Sequence, residues 1–294
     1  MIEQTVRYAP LPLSCGEGGG RGLSRYPTVL TIAGSDSSGG AGIQADIKTI
    51  SSLGVYACSA ITAITAQNTL GVRSIQGISP SILKDQIEAV FEDLVIDAVK
   101  TGMLYNSESI EVISECFARF RPRFFVLDPV MVSTSGSKLI TDDAIQAVQQ
   151  LLFPLATLVT PNIAEAEIFT GVKISSPEDM QAAAEIMLQK GCNAVLIKGG
   201  HLSGNESIDM LFEKGKNGSG IRSPFIETKN THGTGCTLSA AIASYLALGE
   251  DLREAFVLAK DYIIHALYAG KDVEVGKGHG PVNHFFNPKR YTIL

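Results

Sequence analysis

The chain has 294 residues, 45% of them hydrophobic and 18% charged, and a net charge of -6. That is enough apolar material for a sizeable core in one large or two small domains. The acidic balance argues against general nucleic-acid binding, which needs a basic face, and no apolar run is long enough to span a membrane.

Five scattered cysteines, Cys15, Cys58, Cys116, Cys192 and Cys236, form no CxxC pair. They point to reduced thiols in a cytoplasmic protein, not to disulfides or zinc. The histidines show no metal-ligand spacing either. Residues 1–25 lack a basic start followed by an apolar core, so they do not read as a secretory signal. Their run Gly16-Glu17-Gly18-Gly19-Gly20 is expected to be flexible. They are set apart as an N-terminal extension to a single domain, residues 26–294, which shows no internal linker or repeat.

The run Thr28-Val29-Leu30-Thr31-Ile32-Ala33 is apolar and β-branched, as a buried parallel strand requires. It feeds a loop, residues 34–42, with four glycines and one aspartate in nine positions. A tight turn needs fewer, so the loop implies close approach of backbone to a ligand. A helix follows to Leu53, with Gly54 beyond its end. Residues 57–66 read as a strand leading into Gln67-Asn68-Thr69, and residues 72–78 as an edge strand. Residues 80–94 read as a helix with Ile82, Ile87, Val90, Phe91 and Leu94 on one face. A short strand at 98–103, a helix at 108–120 and a buried strand at 124–127 come next. A helix at 142–152, a strand at 158–160 and a short helix at 163–169 follow.

Ser176-Pro177-Glu178-Asp179 is a strong helix start, and that helix is expected to run to Lys190. Residues 194–198 read as a buried strand. Residues 208–212 and 225–228 read as strands joined through a glycine-rich turn at 214–220, a candidate lid. The last long helix spans 251–269, with Asp251 and Glu254 placed for a capping box. Alternating strands and helices predict an α/β fold, a mostly parallel sheet covered on both faces. Ligands in such sheets bind at the carboxyl ends of the strands. Asp36, Gln67, Asp128, Asn162 and Lys198 all fall at those ends.

One stretch organises the rest: Thr231-His232-Gly233-Thr234-Gly235-Cys236-Thr237, ahead of a small, apolar run that reads as a buried helix. A glycine turn at a helix N-terminus presents free N–H groups and the positive end of the helix dipole, a site for phosphate. Cys236 would lie in the first turn, where that field lowers a thiol pKa.

The chain resembles the hydroxymethylpyrimidine and phosphomethylpyrimidine kinases of thiamine biosynthesis, within the ribokinase-like fold. The motifs carrying the resemblance run in order from Ala33-Gly34-Ser35-Asp36-Ser37-Ser38-Gly39-Gly40-Ala41-Gly42, Ala66-Gln67-Asn68-Thr69 and Lys100-Thr101-Gly102-Met103-Leu104 to Leu127-Asp128-Pro129-Val130-Met131. They continue through Thr160-Pro161-Asn162-Ile163-Ala164-Glu165, Lys198-Gly199-Gly200-His201 and the Thr231 to Thr237 stretch. The resemblance implies a three-layer fold and transfer of the ATP γ-phosphate to 4-amino-5-hydroxymethyl-2-methylpyrimidine, then to its monophosphate. A pyridoxal or pyridoxine kinase of the same fold is the alternative reading.

The resemblance also implies roles. Gly233, Thr234, Gly235 and Cys236 form the catalytic turn. Cys236 stands where the wider fold has an aspartate base, and acts as base or positions the acceptor. Gln67, Gly34, Ala41 and Val130 bind the pyrimidine, and Asp46, a mainly structural residue of the first helix, is counted with them as within reach of the site. Gln67 pairs its amide with the amine and ring nitrogen of the substrate. Lys198, Thr234 and Asn162 contact ATP, and Glu165 and Asp128 serve Mg²⁺. His201 and His232 are given no chemical role. A homodimer is implied; nucleic-acid and membrane partners are not.

Overall fold

The computed structural model describes residues 24–132, 136, 139–200 and 206–294. The flexibility expected of the N-terminal extension therefore falls outside the described residues for positions 1–23, as does His201. Arg25, assigned to that extension, is instead tied to the body of the protein. Its guanidinium donates to both Asp97 carboxylate oxygens, at 2.7 and 2.8 Å, and its backbone pairs with Leu294.

The strands are β1 Thr28–Asp36, β2 Tyr56–Asn68, β3 Gly71–Gly77, β4 Ala98–Thr101, β5 Phe125–Leu127, β6 Leu158–Val159, β7 Ala194–Lys198, β8 Glu206–Glu213 and β9 Ser219–Pro224. They form one sheet in the order β3-β2-β1-β4-β5-β6-β7-β8-β9. The central strands from β2 to β7 are parallel. The edges are antiparallel, β3 on β2 and the β8–β9 hairpin on β7.

Helices α1 Gly42–Ser52, α7 Thr234–Ala247 and α8 Leu252–Gly270 cover one face. Helices α2 Pro80–Asp93, α3 Ser107–Phe120, α4 Asp142–Ala147, α5 Ile163–Thr170 and α6 Pro177–Gln189 cover the other. Every residue of α7 from Cys236 to Ala247 is buried. Its small residues, Ala240, Ala241 and Ala243, let it lie close to the sheet between α1 and α8. From β1 the chain crosses by α1 to β2 on one side, and from β4 by α3 to β5 on the other. This reversal of winding opens a crevice at the carboxyl ends of β1 and β4.

Local departures from the sequence reading have physical causes. The first strand does not stop at Ala33. It runs to Asp36 through an irregularity at Gly34, so only residues 37–41 form the loop. In α2 the buried pair is Leu83 and Ile87, while Ile82 is 52% exposed; one position along a helix turns a side chain by about 100°. The helix expected at 142–152 is α-helical only to Ala147. It widens into a π-turn at Val148–Leu152 and tightens at Phe153–Leu155, where Pro154 lacks a donor.

Residues 225–228 are not a strand. Pro224 ends β9, and the chain then leaves the sheet. Asp251 caps α8 by accepting from the N–H groups of Arg253 and Glu254, without the return bond of a capping box. The turn at 214–218 is no lid. It hangs from Asn193 at the start of β7 and from Arg253, at the amino end of the parallel strands and away from the site.

Beneath the α7 N-terminus, His284 Nε2 lies 3.2 Å from Thr237 Oγ1, and Tyr262 donates to the His284 carbonyl at 2.6 Å. Burial, helped by the positive charge of Lys48, pushes the His284 pKa from 6.5 down to about 4. The fold thus favours the neutral ring. Its contribution is complete above pH 6.5 and is lost as pH falls toward 4. Denaturation profiles across this window are expected to lose about 3 kcal/mol of stability. His284→Gln should flatten that slope, and an equally steep slope in the variant would assign it to other groups.

Candidate functional site

A cavity of about 690 Å³ opens over the carboxyl ends of β1, β2, β5 and β7. Gly34, Ala41, Gln67, Asp128, Val130, Asn162, Glu165, Lys198, Gly233, Thr234, Gly235 and Cys236 all line it. Asp46 does not. It is fully buried inside α1, bonded to Lys100 Nζ by both carboxylate oxygens at 2.8 Å and to Thr31 Oγ1 at 2.6 Å. The assignment of Asp46 to substrate binding is corrected on this ground. Its carboxylate is the counter-ion of a lysine with no exposed surface.

Gly233 is the N-cap of α7 and holds φ 80°, ψ 9°, a left-handed conformation that favours glycine. A side chain there would run into the Gly40 carbonyl oxygen, so the turn lies directly against the first glycine loop. The N–H of Thr234 is taken by Thr231 O at 3.3 Å. Among the described residues no acceptor meets the N–H groups of Gly233, Gly235 and Cys236. Three donors at a helix start, with the helix dipole behind them, are suited to an anion.

The thiol does not follow the expectation from its position. Burial pushes Cys236 up to about 11. Lys100 and the Gly42 N–H pull it down, while Asp46 and Asp128 push further up. The desolvation of a fully packed first turn outweighs the helix field, and the group is a thiol at neutral pH.

Beside the turn lie Lys198, Asp128 and Glu165. Lys198 Nζ donates to Asp128 Oδ1 at 2.9 Å, Thr160 Oγ1 donates to the same oxygen at 3.1 Å, and Ser239 Oγ donates to Oδ2 at 3.1 Å. Burial raises the Asp128 pKa, but Lys198, Lys100 and these hydrogen bonds outweigh it, so Asp128 is held below the usual range. Glu165 goes the other way. Burial and the charge of Asp128 raise it to about 7, against Lys198 and the bond from Asn162 N–H.

Asn162 and Glu165 also form a reciprocal capping box on α5, with Asn162 N–H to Glu165 Oε2 at 2.8 Å and Glu165 N–H to Asn162 Oδ1 at 2.9 Å. The capping explanation and a site role thus coexist in the same two residues. The Asn162 carbonyl oxygen is committed to the helix, and its amide NH₂ is the group left to meet a ligand.

At the opposite end Gln67 closes β2, with Gly34 and Met103 close by. A Cβ on Gly34 would lie 2.9 Å from Met103 Sδ. His232, a residue given no role from the sequence, stands between the two glycine segments. Its Nε2 is 2.8 Å from Asp36 Oδ2. Asp36 also accepts from the N–H groups of Ser38, Gly40 and Ala41. Burial raises its pKa, but His232 and the loop donors bring it down to about 2. One carboxylate therefore fixes the first loop and docks it on the second.

Two further features escaped the sequence reading. Phe225, Ile226, Ile263, Ile264 and Leu267 give the cavity an apolar end. They come from a post-strand segment and the middle of α8, which no local motif connects. Lys260 of α8 pairs with Asp209 of β8 at 2.8 Å, and Asp209 accepts the Gly199 N–H at 3.0 Å. A buried lysine in a helix and an aspartate in a strand were the available signals. Their pairing required the fold.

Residues 36–283 match the family described as phosphomethylpyrimidine kinase. The chain is 52% identical over 257 residues to the "Thiamine biosynthesis bifunctional protein ThiED" of Geobacter sulfurreducens, covering 87% of this chain and 52% of that one. It thus spans about half of that relative. It is 52% identical over 259 residues to the hydroxymethylpyrimidine/phosphomethylpyrimidine kinase of Rhizobium meliloti, covering 87% of this chain and 96% of that one.

Among solved structures, the phosphomethylpyrimidine kinase of Clostridium difficile aligns with a TM-score of 0.72 at 49% identity, over 82% of this chain and 99% of that one. The pyridoxal kinase of Staphylococcus aureus, solved with pyridoxal, aligns with a TM-score of 0.81 at only 35% identity, over 91% and 97%. Its shape is shared and its sequence is further away, so the pyridoxal reading is the more distant one. The fold is ribokinase-like, and the chain belongs to the phosphomethylpyrimidine kinase family.

Proposed function

We propose that this cavity transfers the γ-phosphate of ATP to the hydroxymethyl group of 4-amino-5-hydroxymethyl-2-methylpyrimidine, and then phosphorylates the monophosphate. The chain is thus a kinase of thiamine biosynthesis. The observation that carries this reading is the joining, in one cavity, of the Gly233–Cys236 turn and Lys198 with an amide suited to an aminopyrimidine edge at Gln67. Phosphoryl transfer asks mainly for charge stabilisation and alignment. The turn N–H groups and Lys198 stabilise charge on the moving phosphoryl, and Asn162 and Thr234 hold the nucleotide phosphates. Gln67, Gly34, Ala41 and Val130 hold the ring.

Magnesium fits this donor set as a companion of the nucleotide. Among the described residues no three His, Cys, Asp or Glu side chains gather as a metal cage, and Mg²⁺ usually keeps its waters and binds through one or two carboxylates plus phosphates. Glu165 and Asp128 would hold those waters, and the ion would neutralise phosphate charge. The raised pKa of Glu165 marks a carboxyl that gains from a cation. A cytoplasmic homodimer completes the proposal, checked by sedimentation.

Side-by-side ATP consumption with the pyrimidine, its monophosphate and pyridoxine tests the substrate. The first two are expected to support turnover, and a preference for pyridoxine would overturn the assignment. Cys236 is assigned to positioning the acceptor hydroxyl, since its thiol is protonated. Cys236→Ala is expected to lower kcat by about 100-fold, the scale of losing alignment of a reacting group, with little change in pyrimidine KM. The unaltered enzyme should show a nearly flat kcat between pH 7 and 9. A tenfold rise per pH unit there would return Cys236 to the role of base.

A further inference from the structure

Asp209 of β8 and Lys260 of α8 both line the cavity, and neither has a part in the reading above. Asp209 is 4% exposed and Lys260 8%. Lys260 Nζ donates to Asp209 Oδ2 at 2.8 Å. The other carboxylate oxygen, Oδ1, accepts the N–H of Gly199 at 3.0 Å. The carboxylate therefore joins two walls of the cavity, the end of β7 and the helix that carries Ile263, Ile264 and Leu267.

Gly199 follows Lys198, the last residue of β7. Lys198 stands opposite Asp209, and the β7–β8 register ends with that pair. On the β6 side the Lys198 N–H donates to Pro161 O at 2.9 Å. Past Lys198 come two glycines. A Cβ on Gly199 would run into the Ile208 carbonyl oxygen, and Gly200 holds φ 49°. Residues without side chains have no packing of their own to hold a strand end, and their backbone is the freest to move. Asp209 supplies the restraint instead. It takes the first N–H beyond the paired register, and a hydrogen bond to a charged acceptor is roughly twice as strong as one between neutral groups. Lys260 in turn fixes the carboxylate from the opposite side.

We infer that Asp209 is a positioning residue for Lys198: it ties the turn at Gly199 and Gly200 to α8 and so holds the Lys198 ammonium in place between Asp128 and the Gly235 turn. This inference rests on the reading of Lys198 as a contact to the nucleotide phosphates and adds to it the group that keeps the lysine aimed.

Two double variants separate the Gly199 bond from the ion pair. Asp209→Asn with Lys260→Met removes both charges and keeps an amide oxygen for the Gly199 N–H. Asp209→Leu with Lys260→Met removes the same charges and leaves that N–H without an acceptor. Neither strands a buried charge. The leucine variant is expected to fall about tenfold or more below the asparagine variant in kcat/KM for ATP, the scale of one lost hydrogen bond to a charged group. The pyrimidine KM should stay nearly the same in both, which a general loosening of the cavity would not allow. Equal kcat/KM for ATP in the two variants, or a matching rise in both KM values, overturns this inference alone. Lys260→Met by itself keeps Asp209 on the Gly199 N–H and serves if the leucine variant fails to fold. Its ATP kinetics should match those of the asparagine variant, and a further loss of about tenfold would assign the effect to Lys260 and overturn the inference. Absence of ATP consumption by the unaltered enzyme with the pyrimidine and with its monophosphate overturns the kinase reading and the inference with it.

Discussion

Gly233→Ala is expected to lower kcat/KM by about 1,000-fold, while the protein stays folded at moderate temperature. The left-handed backbone at Gly233 costs a residue with a Cβ about 1–2 kcal/mol. The new methyl also meets the Gly40 carbonyl, a backbone group that cannot swing aside. Relief requires the turn to rotate or the two glycine loops to separate. Either movement misaims the N–H groups of Gly235 and Cys236. Loss of one such donor costs about 2.7–4 kcal/mol of barrier, and here more than one is displaced.

Gly235→Ala is the matched control. A Cβ there would lie 3.3 Å from Lys198 Nζ and 3.8 Å from Asp128 Oδ2. The first neighbour is the end of a flexible side chain, and the backbone is already helical. A loss of about tenfold is expected, mostly in the KM for ATP. Steady-state kinetics beside thermal unfolding separates the cases. Turnover within about tenfold of normal in Gly233→Ala would remove the turn from charge stabilisation.

The architecture was legible because buried strands such as Ala194–Lys198 carry their own signature and the glycine turns punctuate them. Small errors arose where a neighbour overrode the local pattern. Ile82 looks equivalent to Leu83 until the sheet chooses one of them. Phe225 and Ile226 look like strand residues until Pro224 ends the ladder, and they then line the cavity. The lining of the cavity was legible where polar residues sit at strand ends, as with Gln67, Asp128 and Lys198. It was not legible where a group acts through a partner distant in sequence. His232 meets Asp36 across 196 positions, and no local pattern encodes that. Cys236 shows the same limit in electrostatics. The helix start is visible in the sequence, but the burial that outweighs its field is a property of the packed structure.

Asp46→Ala is expected to destabilise the fold by about 3–5 kcal/mol, the usual result of stranding a buried charge. For a chain of this size that is roughly a 10 °C fall in unfolding temperature. Lys100 has no exposed surface. Burial opposes its charge, yet the carboxylates of Asp46 and Asp128 raise its pKa, so the lysine stays charged and needs its partner. If Asp46 were a substrate contact, Asp46→Ala would raise the pyrimidine KM and leave thermal stability nearly intact.

The double replacement Asp46→Leu with Lys100→Met decides what the pair is for. Removing both charges with side chains of similar volume is often neutral for stability, so most of the unfolding temperature should return. Turnover should not return with it. Lys100 lies under the floor of the site, where its charge favours the ionised forms of both Asp128 and Cys236. A refolded double variant with normal kcat would reduce the pair to a packing device. A stable but slow one would make it a fixed positive charge beneath the phosphate site, held in place by the aspartate that the sequence seemed to offer to the substrate.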